Sequence, residues 1–275
     1  MQLIHTVSEL RARLANEKAI VFVPTMGNLH EGHIELVRMA RERAGCVVVS
    51  IFVNPIQFGP NEDFDKYPRT LEADCAKLQG LADVVFVPSV SEMYPEMQTI
   101  FVEPPPIANE LCGAFRPGHF RGMATVVLKL FNLVQPQIAI FGKKDYQQLA
   151  VIRQMVSQFN LPIEIVGAET ARAADGLALS SRNQYLSAEE RTEAVFMSQI
   201  LSGMGKALVD GAGGYAVLER EAGVALAKHG WQLEYVAVRN QADLGIPAKG
   251  ERKLVVLAAA RLGKTRLIDN LEVCL

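Results

Sequence analysis

Ala19-Ile20-Val21-Phe22-Val23-Pro24-Thr25-Met26-Gly27-Asn28-Leu29-His30-Glu31-Gly32-His33 is the stretch on which the fold turns. Its first five residues are apolar, β-branched or aromatic, and predict a buried strand that Pro24 ends. Gly27, His30, Gly32 and His33 follow within seven positions. Directly after them, Ile34, Val37, Ala40 and Ala44 recur at helical spacing among Arg and Glu, which predicts a helix to about Ala44. Two glycines and two imidazoles therefore stand where a buried strand hands over to a helix. In an open α/β sheet ligands bind at such strand ends, and a helix N-terminus attracts anions. His30 and His33, three residues apart, can face one side. A cap or a packed ring is the plain reading of either histidine alone. Zinc is a further reading, but a catalytic zinc site wants three protein ligands, and no cysteine or third histidine lies close in sequence. The pair in a glycine turn points first to phosphate chemistry.

Downstream, Cys46 to Val53 is a second near-continuous apolar run, as expected of a strand covered on both faces of a parallel sheet. It runs into residues 54–70, a long loop with three prolines and the polar side chains Asn54, Gln57 and Tyr67. Long loops at strand ends often carry function. A helix is expected over 71–81, a strand over 83–87 and a short further strand over 100–103. Arg116, His119 and Arg121 precede an apolar helix that stops before Pro136. Basic groups oppose the dipole at a helix start, so either an anion sits between them or they are solvated. Residues 137–141 form the next strand, which delivers Gly142, Lys143, Lys144 and Asp145, with Gln148 one turn on. Gly142 permits close approach of a ligand, and the lysines can meet phosphate as point charges. A strand over 161–167 leads to an Asp175-Gly176 turn and then to Leu179, Ser180, Ser181 and Arg182. Two hydroxyls and a guanidinium suit a polyphosphate.

Strands alternate with helices to about residue 180, which predicts an α/β fold with a doubly wound, Rossmann-like parallel sheet. All the polar clusters then lie at strand C-terminal ends, and their basic, hydroxylic character suits a nucleoside triphosphate. After a capping box at Ser187 and Glu190, helices are expected over 188–209 and 215–229, then strands over 231–239, 253–260 and 265–271. That order predicts a smaller C-terminal α+β domain over 184–275, after a first domain over 1–183. Two motifs there are discounted. Gly211-Ala212-Gly213-Gly214-Tyr215-Ala216 lies between helices instead of after a strand, and Gly263-Lys264-Thr265 has Ala258 where a P-loop needs glycine.

The N-terminal Met1 to Leu14 reads as a short helical segment, with an amphipathic helix over 7–17, and lacks a signal-peptide pattern. A formal net charge of −2 gives no global attraction to nucleic acid or anionic membrane, and no apolar run reaches transmembrane length. Cys46, Cys75, Cys112 and Cys274 are widely spaced and read as reduced thiols of a cytoplasmic protein.

Five stretches carry a family resemblance: PTMGNLHEGH (24–33), FVNPIQFGPNEDFDKYPRT (52–70), RPGHFRGMATVVLKLFN (116–132), FGKKDYQQL (141–149) and DGLALSSRNQYLS (175–187). In this order they closely resemble pantothenate synthetases, the pantoate–β-alanine ligases, with His30-Glu31-Gly32-His33 as their form of the HIGH motif of adenylate-forming nucleotidyltransferases. The resemblance covers most of residues 20–190 and less of the C-terminal part. The stretch ETARAADG departs from it, since the family more often has valine near Ala171 and an acidic residue near Ala173.

The resemblance implies two steps. ATP and pantoate give pantoyl adenylate and pyrophosphate, and the amine of β-alanine then displaces AMP to form pantothenate, a precursor of coenzyme A. It implies His33 as proton donor, with His30, Lys144 and Arg182 completing the catalytic set. It implies a nucleotide site of Met26, Gly27, Asn28, Leu29, His30, Glu31, Gly32 and His33, joined by Gly142, Lys143, Lys144 and Asp145. Ala171, through its backbone to adenine, and Leu179, Ser180, Ser181 and Arg182 complete that site. Gln57 and Gln148 match the pantoate-binding glutamines, and Asn54, Tyr67 and Arg121 are further candidates for the same pocket. Mg²⁺ is expected with ATP, with no protein ligands assigned, and a homodimer is expected. The competing readings are another HIGH-motif nucleotidyltransferase acting on a phosphorylated acceptor, and a nucleotide-binding protein without catalysis. A tRNA-charging enzyme is disfavoured, because no basic appended domain is present.

Overall fold

The structure is a computed structural model, and it describes residues 1–43, 45–60, 62–211 and 214–275. The first half of the chain comprises β1 (Gln2–Ile4), α1 (Val7–Leu14), β2 (Ile20–Thr25), α2 (Glu31–Glu42), β3 (Cys46–Ile51), α3 (Leu71–Leu78), β4 (Val84–Phe86), α4 (Val90–Met93) and α5 (Cys112–Phe115). Then follow α6 (His119–Val134), β5 (Ile138–Gly142), α7 (Tyr146–Gln158) and β6 (Glu164–Ala168). The C-terminal part holds α8 (Ala188–Glu193), α9 (Val195–Val209), α10 (Tyr215–Lys228), β7 (Gln232–Asn240), β8 (Lys253–Leu262) and β9 (Thr265–Cys274).

Strands β1 to β6 form one sheet in the order β1-β4-β3-β2-β5-β6, and every pairing is parallel. Alternation along β2 explains the two-sided core. Phe22 packs with Val48, Phe86 and the apolar stripes of α1, α6 and α7. Val21 and Val23 face the other way, onto Ile34, Val37 and Ala40 of α2 and Leu78 of α3. The chain runs from β2 outward through β3 to β4, then crosses back to place β5 on the other side of β2. The β2/β5 junction is therefore the switch point, where an α/β sheet opens a crevice.

Pro24 does not end β2; it lies inside it, opposite Ser50 of β3. The Ile20 carbonyl accepts from Gln137, so the backbone N–H and C=O groups of even-numbered residues of β2 point towards β5. Pro24 has no N–H to offer on that side, and the β2–β5 register covers only Val21 and Phe22. The two strands part where the cleft begins.

Strands β7, β8 and β9 form a separate antiparallel sheet. Helices α9 and α10 cover it, with Leu201, Leu226 and Trp231 in a second core. Leu177 belongs to that core and Ala173 packs on it, which gives the unusual alanine a place on the C-terminal part.

Several boundaries differ from expectation. Gln2–Ile4 is an edge strand on β4, not helix. The Thr6–Glu9 capping box starts α1 only at Val7, and Ile4, 2 % exposed, is drawn into the core. Helix α1 stops at Leu14 rather than 17. Residues 100–103 form no strand: Val102 N–H donates to Thr125 Oγ1 and Ile100 is exposed, beside three prolines. The helix expected over 188–209 is two, meeting at Ala194. Ala44, Ala212 and Gly213, within the expected α2 end and the discounted glycine motif, lie outside the described residues.

Candidate active site

The cleft lies at the C-terminal ends of β2, β3, β5 and β6. Thr25, Met26, His30 and His33 line it from the first crossover, Gln57 and Tyr67 from the 54–70 loop. Gly142, Lys144, Asp145 and Gln148 line it after β5, and Thr170, Ala171 and Leu179 to Arg182 after β6. Met123, Val126, Val127 and Leu130 of α6 supply an apolar wall.

The turn that carries the histidines is built from two left-handed residues, Gly27 at φ 80° and Asn28 at φ 50°. A buried carboxylate holds it: Asp74 accepts from the N–H groups of Asn28 and Leu29, both at 2.8 Å. Lys77, one turn along α3, donates to the Leu29 carbonyl at 2.5 Å. Neither residue was expected from the sequence, because both act through backbone contacts some 45 positions or more from their partners.

His30 stands at the N-cap of α2, and its backbone N–H donates to His33 Nδ1 at 3.3 Å. That bond makes Nδ1 the acceptor and leaves the ring proton of neutral His33 on Nε2. The rings lie 4.1 Å apart, and a Cβ on Gly32 would come within 3.1 Å of His30 and 3.2 Å of Ala171. Glycine there lets the ring, the helix start and the β6 loop close together. Burial, then repulsion from Lys144, lowers the His30 pKa to about 4; burial, then the neighbouring His30, lowers that of His33 to about 3. Both imidazoles are neutral near pH 7. His30 Nδ1 is buried and has no hydrogen-bond partner among the described residues.

Three imidazoles, His119 buried and His30 and His33 half-buried, make the fold acid-sensitive. His119 joins His30 and His33, with its pKa lowered to about 4 by burial and then Arg116. The unfolded chain binds protons on the same groups below about pH 6.5, where the folded chain does not. Their contribution is fully present above that pH and is lost as pH falls towards 4. Calorimetry should show Tm falling over this window, with net proton uptake on unfolding; a flat Tm would contradict the neutral burial.

The two lysines diverge. Lys143 leaves the cleft and is taken by Glu169 and Glu272, at 2.5 and 2.7 Å. Lys144 lines the cleft, and among the described residues its one ion-pair partner is Asp145, at 3.7 Å. The site disfavours charge on Asp145 by desolvation, but Lys144, Arg182, Arg116 and His119 outweigh this and hold its pKa below the usual carboxylate value. Ser180 Oγ accepts from Arg182 N–H, and Ser181 donates to the Asn28 carbonyl, tying this loop to the histidine turn. The Arg182 guanidinium forks onto Asp63, at 3.1 and 2.9 Å.

The acid-pocket candidates separate similarly. Gln57 is buried but reaches the cleft, its Nε2 3.2 Å from Met26 Sδ and its Oε1 3.0 Å from Asn54 Nδ2. Asn54 is not a lining residue; it is 1 % exposed, and Tyr94 OH and the Gly122 carbonyl occupy its remaining capacity. Its part is to brace Gln57. Arg121 lies outside the cleft, over the Phe101 ring and beside Glu103. Among the nucleotide-site candidates, Gly27, Asn28 and Leu29 shape the turn without lining the cleft, and Glu31 pairs with Arg38. Arg116 is neither solvated nor open to an anion, because Glu62 fills its fork. Glu169, Thr170 and the α6 wall are lining positions that sequence patterning gave no means to choose.

Proteins of known sequence and of known structure match this chain over nearly their full lengths. A family described as pantoate-beta-alanine ligase matches residues 2–272. The pantothenate synthetase of Chromobacterium violaceum is 62 % identical over 275 residues, covering 99 % of each chain. That of Methylobacillus flagellatus is 58 % identical, covering 99 % of this chain and 98 % of its own. The crystal structure of pantothenate synthetase from Thermus thermophilus superposes with a TM-score of 0.95 at 46 % identity, over all of both chains. The Francisella tularensis pantoate-beta-alanine ligase, solved as a complex with beta-gamma ATP and beta-alanine, has a TM-score of 0.84 at 35 % identity, covering 98 % of this chain and 97 % of its own. With a matching family across nearly every residue and relatives this similar from end to end, the chain belongs to the pantoate–β-alanine ligases.

Proposed function

We propose that the cleft joins pantoate to β-alanine at the expense of ATP, through a pantoyl adenylate. The observation that carries this reading is the meeting, at one sheet switch point, of a phosphate-suited half and an acid-suited half. His30, His33, Lys144 and the Ser180–Arg182 loop line the same cleft as Gln57, Gln148 and the apolar face of α6.

In the first step a pantoate carboxylate oxygen attacks the α-phosphorus of ATP, and the bond to the β-phosphate breaks. Negative charge builds on the departing pyrophosphate, so fixed donors and cations are what the protein must supply. His33 offers Nε2–H and Lys144 its ammonium. Arg182 would exchange Asp63 for phosphate, and the positive end of α2, which opens at Glu31 and Gly32, would attract it. Gln57 and Gln148 would hold the oxygens of pantoate, with Met123 and Val126 against its two methyl groups. In the second step the free amine of β-alanine attacks the acyl carbon, and AMP leaves with its bond to carbon broken.

Mg²⁺ belongs to this proposal as the partner of ATP, where it would neutralise phosphate charge. Among the described residues no cluster of three or more His, Cys, Asp or Glu could hold a metal by itself. Mg²⁺ binds through phosphates and water with one or two carboxylates; Asp145, which lines the cleft, and Asp63, beside Arg182, are the groups that would serve. A cytoplasmic homodimer, and movement of residues 184–275 as a lid on 1–183, complete the proposal. The lid is supported by the separate C-terminal core and by polar ties to the first part, such as Arg172 to Asp269.

Pantoate labelled with ¹⁸O in its carboxylate tests the chemistry. The adenylate route leaves one labelled oxygen on AMP; unlabelled AMP would overturn it. Gln57→Ala is expected to raise KM for pantoate at least about tenfold, with KM for ATP nearly unchanged. Steady-state kinetics showing an equal rise in both would remove Gln57 from the acid pocket.

A further inference from the structure

Arg116 and His119 do not line the cleft, yet both are built into contacts that end on Gln57. Gln57 lies on a single turn of 3-10 helix, Pro55–Gln57, beyond β3. The first turns of α6 press directly on it: a Cβ on Gly122 would lie 2.1 Å from the Ile56 carbonyl oxygen and 2.8 Å from Gln57 Cα. Only glycine allows that approach.

His119, 8 % exposed, sits on the same turn of α6. Its Nδ1 is 2.8 Å from the Gln57 carbonyl oxygen, and its Nε2 is 2.9 Å from an Arg116 guanidinium nitrogen. A carbonyl can only accept, so Nδ1 must carry the proton. A guanidinium can only donate, so Nε2 must be bare. The two neighbours together permit one neutral tautomer. Arg116 is fixed in turn by a fork onto Glu62, at 2.6 and 2.7 Å, with both side chains largely buried. Burial and the adjacent guanidinium both disfavour a charged His119, in keeping with that tautomer.

We infer that Arg116 and His119 are a positioning pair that fixes the backbone of Gln57, and through it the site's grip on the small hydroxy acid. The chain Glu62–Arg116–His119–Gln57 links the acidic stretch of the 54–70 loop to the acid pocket. Asn54 braces the Gln57 side chain, and His119 its main chain. The assignment to the acid rests on the function proposed above; the tautomer does not.

Two measurements test the pair. His119→Leu should raise KM for pantoate about tenfold, by leaving the Gln57 carbonyl unpaired. KM for ATP should stay within about twofold. His119→Asn, whose amide N–H stands where Nδ1–H did, should recover most of the loss. An equal rise in both KM values, or asparagine no better than leucine, would overturn the pair. Nitrogen NMR of the histidine-labelled wild-type protein should find His119 protonated at Nδ1 and bare at Nε2 between about pH 5 and 8. The opposite tautomer would overturn the inference without any variant. If the wild-type protein does not use pantoate, the functional reading fails by itself, and the NMR result still decides the tautomer.

Discussion

Replacing His33 with alanine is expected to lower kcat/KM for pantoate-dependent pyrophosphate release by roughly 10²–10³-fold, the usual effect of removing one preorganised donor from developing charge. The ring has little freedom to do anything else. It is packed against His30, and its Nδ1 is occupied by the His30 backbone N–H. Only Nε2–H is left to face the cleft. The loss should appear mainly in kcat, because charge on the leaving group develops in the transition state. The ring is neutral in the ligand-free protein, with a pKa of about 3. The pH profile of kcat/KM should therefore show no break between pH 6 and 8 that His33→Ala abolishes. Such a break would mean that His33 acts from a charged form in the free enzyme. A loss below about tenfold would remove it from the transition state.

Lys144→Ala should cost a similar 10²–10³-fold, whereas Lys143→Ala should leave the chemistry nearly intact. The contrast follows from where the ammonium groups go. Lys143 is held between Glu169 and Glu272, and Glu272 also accepts from Tyr146 OH, so this group fastens β9 to the turn before α7. Among the described residues Lys144 has no carboxylate within ordinary hydrogen-bonding distance, and it lines the cleft. Lys143→Ala should accordingly lower Tm by a few degrees, leaving a carboxylate without its partner. Kinetics and thermal melts on the two variants separate the roles. Equal catalytic losses would mean that both lysines reach the phosphates.

Which parts of this were legible in sequence follows from range. The hand-over from β2 to α2 was legible because an unbroken apolar run and a 3.6-residue period are local signals. The parallel sheet followed from their alternation. Edge strand β1 was missed because three residues carry almost no period, although Thr6 and Glu9 already marked where the helix must begin. Adjacent lysines look alike in sequence, and the acids Glu169, just after β6, and Glu272, on β9, tell them apart. Asn54 and Arg121 have the chemistry of ligands but are spent on Tyr94 and on Phe101 with Glu103. Asp74 gave no signal in its own helix, since its partners are backbone N–H groups of the histidine turn.

Pyrophosphate release from ATP and Mg²⁺, followed with and without pantoate and with and without β-alanine, tests the two-step ligation most directly. Release that requires pantoate, with AMP and pantothenate accumulating only once β-alanine is added, is the expected result. Release that ignores pantoate, or none from folded protein that binds ATP, would contradict it.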